Sequence, residues 1–214
     1  MPAVAQSEIV FQSGGKPIRL NAYLPETPSG QLPAVIALHG AGGDVSGMER
    51  YASALAAQGF AVYLLRYFDR TGTESADKPT IFRNFPLWMK TLWDAVSFVA
   101  TQPQVDRERI ALLGFSLGAY LSLANSTVDP RVKVVVEFFG GLPREMKLFM
   151  RRLCPVLILH GTQDATHPVS HARKLHTAVP ASTLAEIPDA AHMAHFDDPR
   201  AWVAETRRFL APGT

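Results

Sequence analysis

The chain is poor in whatever could staple or anchor it. It has one cysteine in 214 residues, so no internal disulfide can form and packing must hold the fold. No apolar run approaches the ~20 residues that a bilayer-spanning helix needs. Basic residues are scattered. The longest basic runs are pairs such as Arg151-Arg152 and Arg207-Arg208, and the formal net charge is +2. That excludes the footprint of a nucleic-acid binder or a polybasic membrane anchor. There is no H-E-x-x-H and no clustered Cys/His set, so no metal or organic cofactor is expected. No repeat, low-complexity tract or linker interrupts the chain.

What is present is ordinary globular material. Hydrophobic residues make up 47% and charged residues 19%, which suits one domain over residues 1–214 with a single sizeable core. Cys154, in "RRLCPVLILHG", sits at the mouth of an apolar run and reads as an inert core position. The opening "MPAVAQ" has the Ala-x-Ala flavour of a leader cleavage site but no apolar segment before it. The expectation is a cytoplasmic protein, with a mature form after leader removal left open. A monomer or weak homodimer is expected.

Short, nearly continuous apolar runs recur at 34–40, 60–67, 109–115, 133–140, 155–161 and 183–187. Such runs suit strands buried on both faces. Helix-compatible segments alternate with them at 47–58, 84–101, 117–126, 168–178 and 198–210. In front, "EIVFQ" and "IRLNAYL" flank a Ser-Gly-Gly-Lys-Pro cluster and read as an antiparallel hairpin. The pattern predicts an α/β fold: a mostly parallel sheet with an N-terminal antiparallel hairpin and helices on both faces. At 214 residues, it leaves no room for a large lid domain. Sheets of this kind hold their chemistry beyond the carboxyl ends of the strands.

Gly114-Phe115-Ser116-Leu117-Gly118 occupies one such end. It fits G-x-S-x-G, in which a strained serine projects from a tight strand-to-helix turn and glycines make room around it. A bland strand–turn–helix junction would also explain the five residues alone, but the required strand and helix both flank it. A neutral serine needs a base, and the base needs an orienting carboxylate. In chain order Ser, acid, His, the candidates are Asp164 in "LHGTQDATHPVS" and His192 in "PDAAHMAHFDDP". His195 is the rival base. Asp189, Asp197 and Asp198 lie too close to the histidine loop to serve easily as the acid. His167, His171 and His176 read as surface residues, and His39 and His160 as structural ones. "HGAGG" (39–43) offers close backbone approach, so the amides of Ala41 and Leu117 are expected to form an oxyanion hole. The stretch matches neither phosphate-loop pattern, which argues against nucleotide binding.

At this point the chain resembles the dienelactone hydrolase family of the α/β-hydrolase superfamily, as a serine-nucleophile member. "AVIALHGAGG", "LLGFSLGA", "PVLILHGTQD" and "PDAAHMAHF" carry the resemblance in the family's order. It implies a Ser116–Asp164–His192 triad with an oxyanion hole at Ala41 and Leu117. Members that cleave dienelactone use a cysteine nucleophile and arginines that grip the substrate carboxylate. Here the nucleophile position is Ser116. Phe196 stands where one of those arginines falls, and Arg83 lies roughly where another does. The implied enzyme is a carboxylesterase acting on small neutral esters. A peptidase or acylaminoacyl hydrolase, a thioesterase, dienelactone hydrolase proper and a non-catalytic binding protein are the alternatives. His39, Tyr67, Arg83 and Phe196 stand as candidate substrate contacts.

Overall fold

A computed structural model describes residues 3–28, 30–192 and 199–210. Eight strands form one sheet: β1 (Val4–Ser13), β2 (Lys16–Pro25), β3 (Leu32–Leu38), β4 (Ala61–Leu65), β5 (Val105–Phe115), β6 (Val132–Phe138), β7 (Val156–Gly161) and β8 (Ser182–Ile187). Their order across the sheet is β1-β2-β4-β3-β5-β6-β7-β8. β1 and β2 are antiparallel, as is β2 with β4, and every other pairing is parallel. The hairpin expected from the Gly-Gly cluster closes with Ser13 opposite Lys16, and both Gly14 and Gly15 take positive φ. Two central residues in that region match the right-handed strand twist, and glycine adopts it without strain.

The apolar runs are continuous because each central strand feeds two cores. In β3, Ala34, Ile36 and Leu38 face one core, while Val35 and Ala37 face the other. A period of two with both faces buried leaves no position for a polar side chain. The helices are α1 (Ser46–Ala56), α2 (Lys78–Val99), α3 (Leu117–Ser126), α4 (Ser170–Ala178) and α5 (Pro199–Leu210). α2 begins six residues earlier than the apolar pattern predicts. Asp77 accepts a hydrogen bond from the Thr80 amide at 3.0 Å, and Pro79 occupies the first turn, where its missing N–H costs nothing. Two short 3₁₀ turns were not legible in the sequence: Tyr67–Arg70 after β4, and Arg144–Arg152 before β7.

The chain runs from β3 outward to β4, then crosses back to place β5 on the other side of β3. This reversal opens a crevice beyond the carboxyl ends of β3 and β5, where open α/β sheets bind their ligands. β3 leads into the His39–Gly43 loop and β5 into Ser116. Cys154 is half-buried, and burial pushes its thiol up to about 11, as an unreactive position requires. No helix among the described residues is long and apolar enough to cross a membrane.

Candidate active site

Ser116 sits between β5 and α3 at φ 51° and ψ −112°. A non-glycine residue there carries on the order of 1–3 kcal/mol of strain that its surroundings must hold. Its amide donates to the Phe138 carbonyl of β6 at 2.8 Å, and its carbonyl accepts from the Ala119 amide at 2.9 Å. The flanking glycines are required by contact. A Cβ on Gly114 would lie 2.3 Å from the Gly118 carbonyl carbon, and one on Gly118 would lie 2.4 Å from the Leu38 oxygen. The elbow is therefore pressed against both its own helix and β3.

The "HGAGG" loop passes beside it, since a Cβ on Gly40 would stand 3.5 Å from the Ser116 Cβ. His39 lies behind this loop, 2% exposed. Its Nδ1 is 2.8 Å from the Gly40 carbonyl oxygen. A carbonyl only accepts, so Nδ1 carries the proton. Burial pushes the ring down to about 4, which keeps it neutral near pH 7. The Gly40 oxygen and the Ala41 N–H belong to one planar trans peptide and point in opposite directions. Holding the oxygen therefore also fixes the direction of the Ala41 N–H. The Tyr67 ring stacks on His39 at 4.2 Å, and its hydroxyl donates to the His39 carbonyl at 2.8 Å. The second expected donor, the Leu117 amide, is at the first position of α3, where a helix has no carbonyl to offer it.

The expected acid and base, Asp164 and His192, meet beyond the ends of β7 and β8. Asp164 follows β7, and its side chain is inaccessible to solvent. Its Oδ2 lies 2.7 Å from His192 Nδ1. Its Oδ1 accepts from the Thr166 and His167 amides, both at 2.8 Å. Burial disfavours the charged carboxyl, but the His167 amide and the His192 ring outweigh it and hold the group below its ordinary value. The His192 loop is pinned beside it: the Gln163 amide donates to the Ala190 carbonyl at 3.0 Å, and the Asp189 amide to Thr162 Oγ1 at 3.0 Å.

Two residues in this region escape sequence reasoning. His167 reads as a surface residue, but the Asp164 carboxylate gathers the two amides after it into a tight turn. That turn brings the His167 ring to 5.2 Å from His192, nearly parallel. The signal was its position three residues after the acid. Phe139 takes φ 58° and packs its ring 4.8 Å from His192. The Gly-Gly that follows gives no hint of it.

Ser116, Ala41, Leu117, His167, Tyr120 and Pro143 share one groove of about 810 Å³ with the first turns of α2. His39 and Tyr67 do not line it, because both are buried as supports of the loop. Arg83 is exposed on α2 and does not line it either. His195 and Phe196 lie outside the described residues, as do Asp197 and Asp198. Among the described residues, Asp164, His167 and His192 bring three possible metal-ligand atoms within 4.8 Å of one another. The hydrogen bonds given above already account for the carboxylate of that group. Glu137, at the end of β6, is fully buried, accepts from the Gly140 amide at 2.8 Å and is pushed up to about 7 by burial.

The dienelactone hydrolase family profile matches residues 20–201. Mouse mitochondrial acyl-coenzyme A thioesterase 2 is 36% identical over 125 residues, covering 58% of this chain and 25% of that protein. The match thus spans about a quarter of the relative's own length. A crystal structure of a candidate dienelactone hydrolase from Klebsiella pneumoniae subsp. pneumoniae superposes with a TM-score of 0.84 at 22% identity, covering 99% of this chain and 100% of that one. A dienelactone hydrolase-like promiscuous phosphotriesterase from metagenomic libraries gives 0.79 at 20% identity, covering 97% and 98%. At these identities the two structures speak for the fold alone.

Proposed function

The chain belongs to the dienelactone hydrolase family, and within it we propose a serine hydrolase that cleaves neutral carboxylic esters through an acyl-enzyme. One observation carries the reading. A strained Ser116 shares a groove with the Ala41 and Leu117 backbone, and an Asp164–His192 pair closed at 2.7 Å stands beside that groove.

In the proposed mechanism, Ser116 attacks the ester carbonyl as His192 takes its proton. Asp164 fixes the imidazole with Nδ1 protonated and stabilises the imidazolium that forms. The Ala41 and Leu117 amides receive the developing oxyanion, assisted by the positive end of α3. His192 then protonates the leaving alcohol. The same histidine activates water, which attacks the acyl-enzyme and releases the acid. Buried as it is, Asp164 remains an anion because two amides and the imidazole satisfy it, so it orients the base without taking its proton.

A neutral substrate is favoured over an anionic lactone by the lining of the groove. Arg83 stands outside it, and Lys78 is the one charged side chain among the described residues that line it. Thioester cleavage is the second reading, supported by the partial match to acyl-coenzyme A thioesterases. The chemistry is the same with a better leaving group. A panel of p-nitrophenyl esters, acyl-coenzyme A thioesters and peptide p-nitroanilides tests the proposal. The highest kcat/KM should fall on the esters. A clear preference for thioesters would favour the second reading, and a preference for anilides would overturn both.

A further inference from the structure

Ser116 divides the groove, and the topology says which part of an ester goes where. The strands carrying Asp164 and His192, β7 and β8, lie on one side of β5. α2 lies on the other side. It packs against β1, against the turn that follows β4, and against α3. Its N-terminal approach is tied to the oxyanion loop, because the Ala76 amide donates to the Ala41 carbonyl at 2.8 Å. A leaving group must stand where His192 can protonate it, so it departs on the β7–β8 side. The α2 side is left for the acyl group.

That side is built for hydrocarbon. Ile81, Phe82, Phe85 and Pro86 line the groove there, across from Leu117. From Lys78 to Pro86 is eight residue steps, about 12 Å of helix. Phe82 is 86% exposed on this wall, a large apolar surface left in water unless something covers it. Resting on the serine hydrolase reading, we propose that this wall is an acyl-chain site, and that the enzyme selects esters of medium-length straight-chain acids. Small acyl groups would leave the Ile81, Phe82, Phe85 and Pro86 wall uncovered. The chain-length preference, set by α2, is thus a property of the acid half of the substrate and not of the alcohol.

Two ladders test this on the full chain. The first is p-nitrophenyl acetate, butanoate, hexanoate and octanoate. The second is methyl, butyl and octyl acetate, followed by acid release. Full burial of one methylene is equivalent to about fourfold in an equilibrium constant. Even with an open groove, kcat/KM should rise at least roughly tenfold from acetyl to octanoyl, with no comparable rise along the alcohol series. Phe82→Asp places a charge on the wall at a position whose exposure protects the fold. It should lower the octanoyl-to-acetyl ratio of kcat/KM by at least roughly tenfold, and a ratio cancels any loss of folded enzyme. A flat or falling acyl profile, a rise along the alcohols instead, or a ratio unmoved by Phe82→Asp overturns the assignment. Full turnover by Ser116→Ala would sink the serine reading itself, whereas a Ser116-dependent enzyme with a flat acyl profile sinks only the acyl site.

Discussion

His39→Ala should damage catalysis from a position that never meets substrate. The Gly40 carbonyl has two donors, His39 Nδ1 at 2.8 Å and the Gly43 amide at 3.1 Å. Alanine removes the shorter one. A neutral hydrogen bond contributes about 1 kcal/mol net, which sets a floor of roughly fivefold. Losing an oxyanion donor outright costs roughly 10²–10³ in kcat, which sets the ceiling. With Gly43 still holding the carbonyl, the expected fall in kcat is on the order of tenfold. KM for a p-nitrophenyl ester should change little, because the Ala41 amide works mainly on the transition state. Steady-state kinetics, normalised to active sites titrated with a fluorophosphonate, separates this loss from any loss of folded protein. Unchanged kcat in folded enzyme would refute the peptide-orientation reasoning. A fall beyond about 10⁴ would refute it differently, since that is the signature of a residue within the catalytic triad.

Asp164→Asn keeps the shape but leaves His192 in the wrong tautomer, so kcat should drop on the order of 10⁴; a loss under tenfold would point to another acid. Glu137 is pushed up to about 7 from an ordinary 4.5, so the native state holds its proton longer than the unfolded chain does. Stability is therefore lost as pH rises through that window, by roughly 3 kcal/mol. Glu137→Gln should gain in Tm over the parent between pH 5 and pH 8, and a pH-independent difference would contradict the assignment. His39, His160 and His167 are all lowered, burial being the largest cause, so Glu137→Gln, which lacks the opposing Glu137 proton uptake, should lose Tm as pH falls from 6.5 towards 4. A flat Tm there would show that the three rings are not desolvated.

Much of this was legible because the physics is local. The runs at 34–40 and 155–161 announced doubly buried strands, and β3 and β7 are those strands within two residues at either end. Gly114 and Gly118 mark the elbow because adjacent backbone leaves no space for a Cβ. The start of α2 was also written, in Asp77 and Pro79, but an apolar-period reading passes over a cap. Other features depend on contacts between distant segments. Nothing near His39 says that its ring will meet a carbonyl one residue on while Tyr67, from the next strand's end, covers it. His167 looked like surface because it falls near the start of a helix-compatible segment. The turn that turns it inward is made by a carboxylate that is itself fixed by His192, 28 residues away.

In the proposed mechanism, Ser116 Oγ is the atom that carries the acyl group. The direct measurement is rapid acid quenching of enzyme turning over p-nitrophenyl acetate, followed by peptide mass mapping. An acetyl group on the peptide containing Ser116 is the predicted result, absent from Ser116→Ala, whose turnover should be lower by at least about 10⁴. Acylation of another residue, or a Ser116→Ala enzyme that still turns over at a comparable rate, would contradict it.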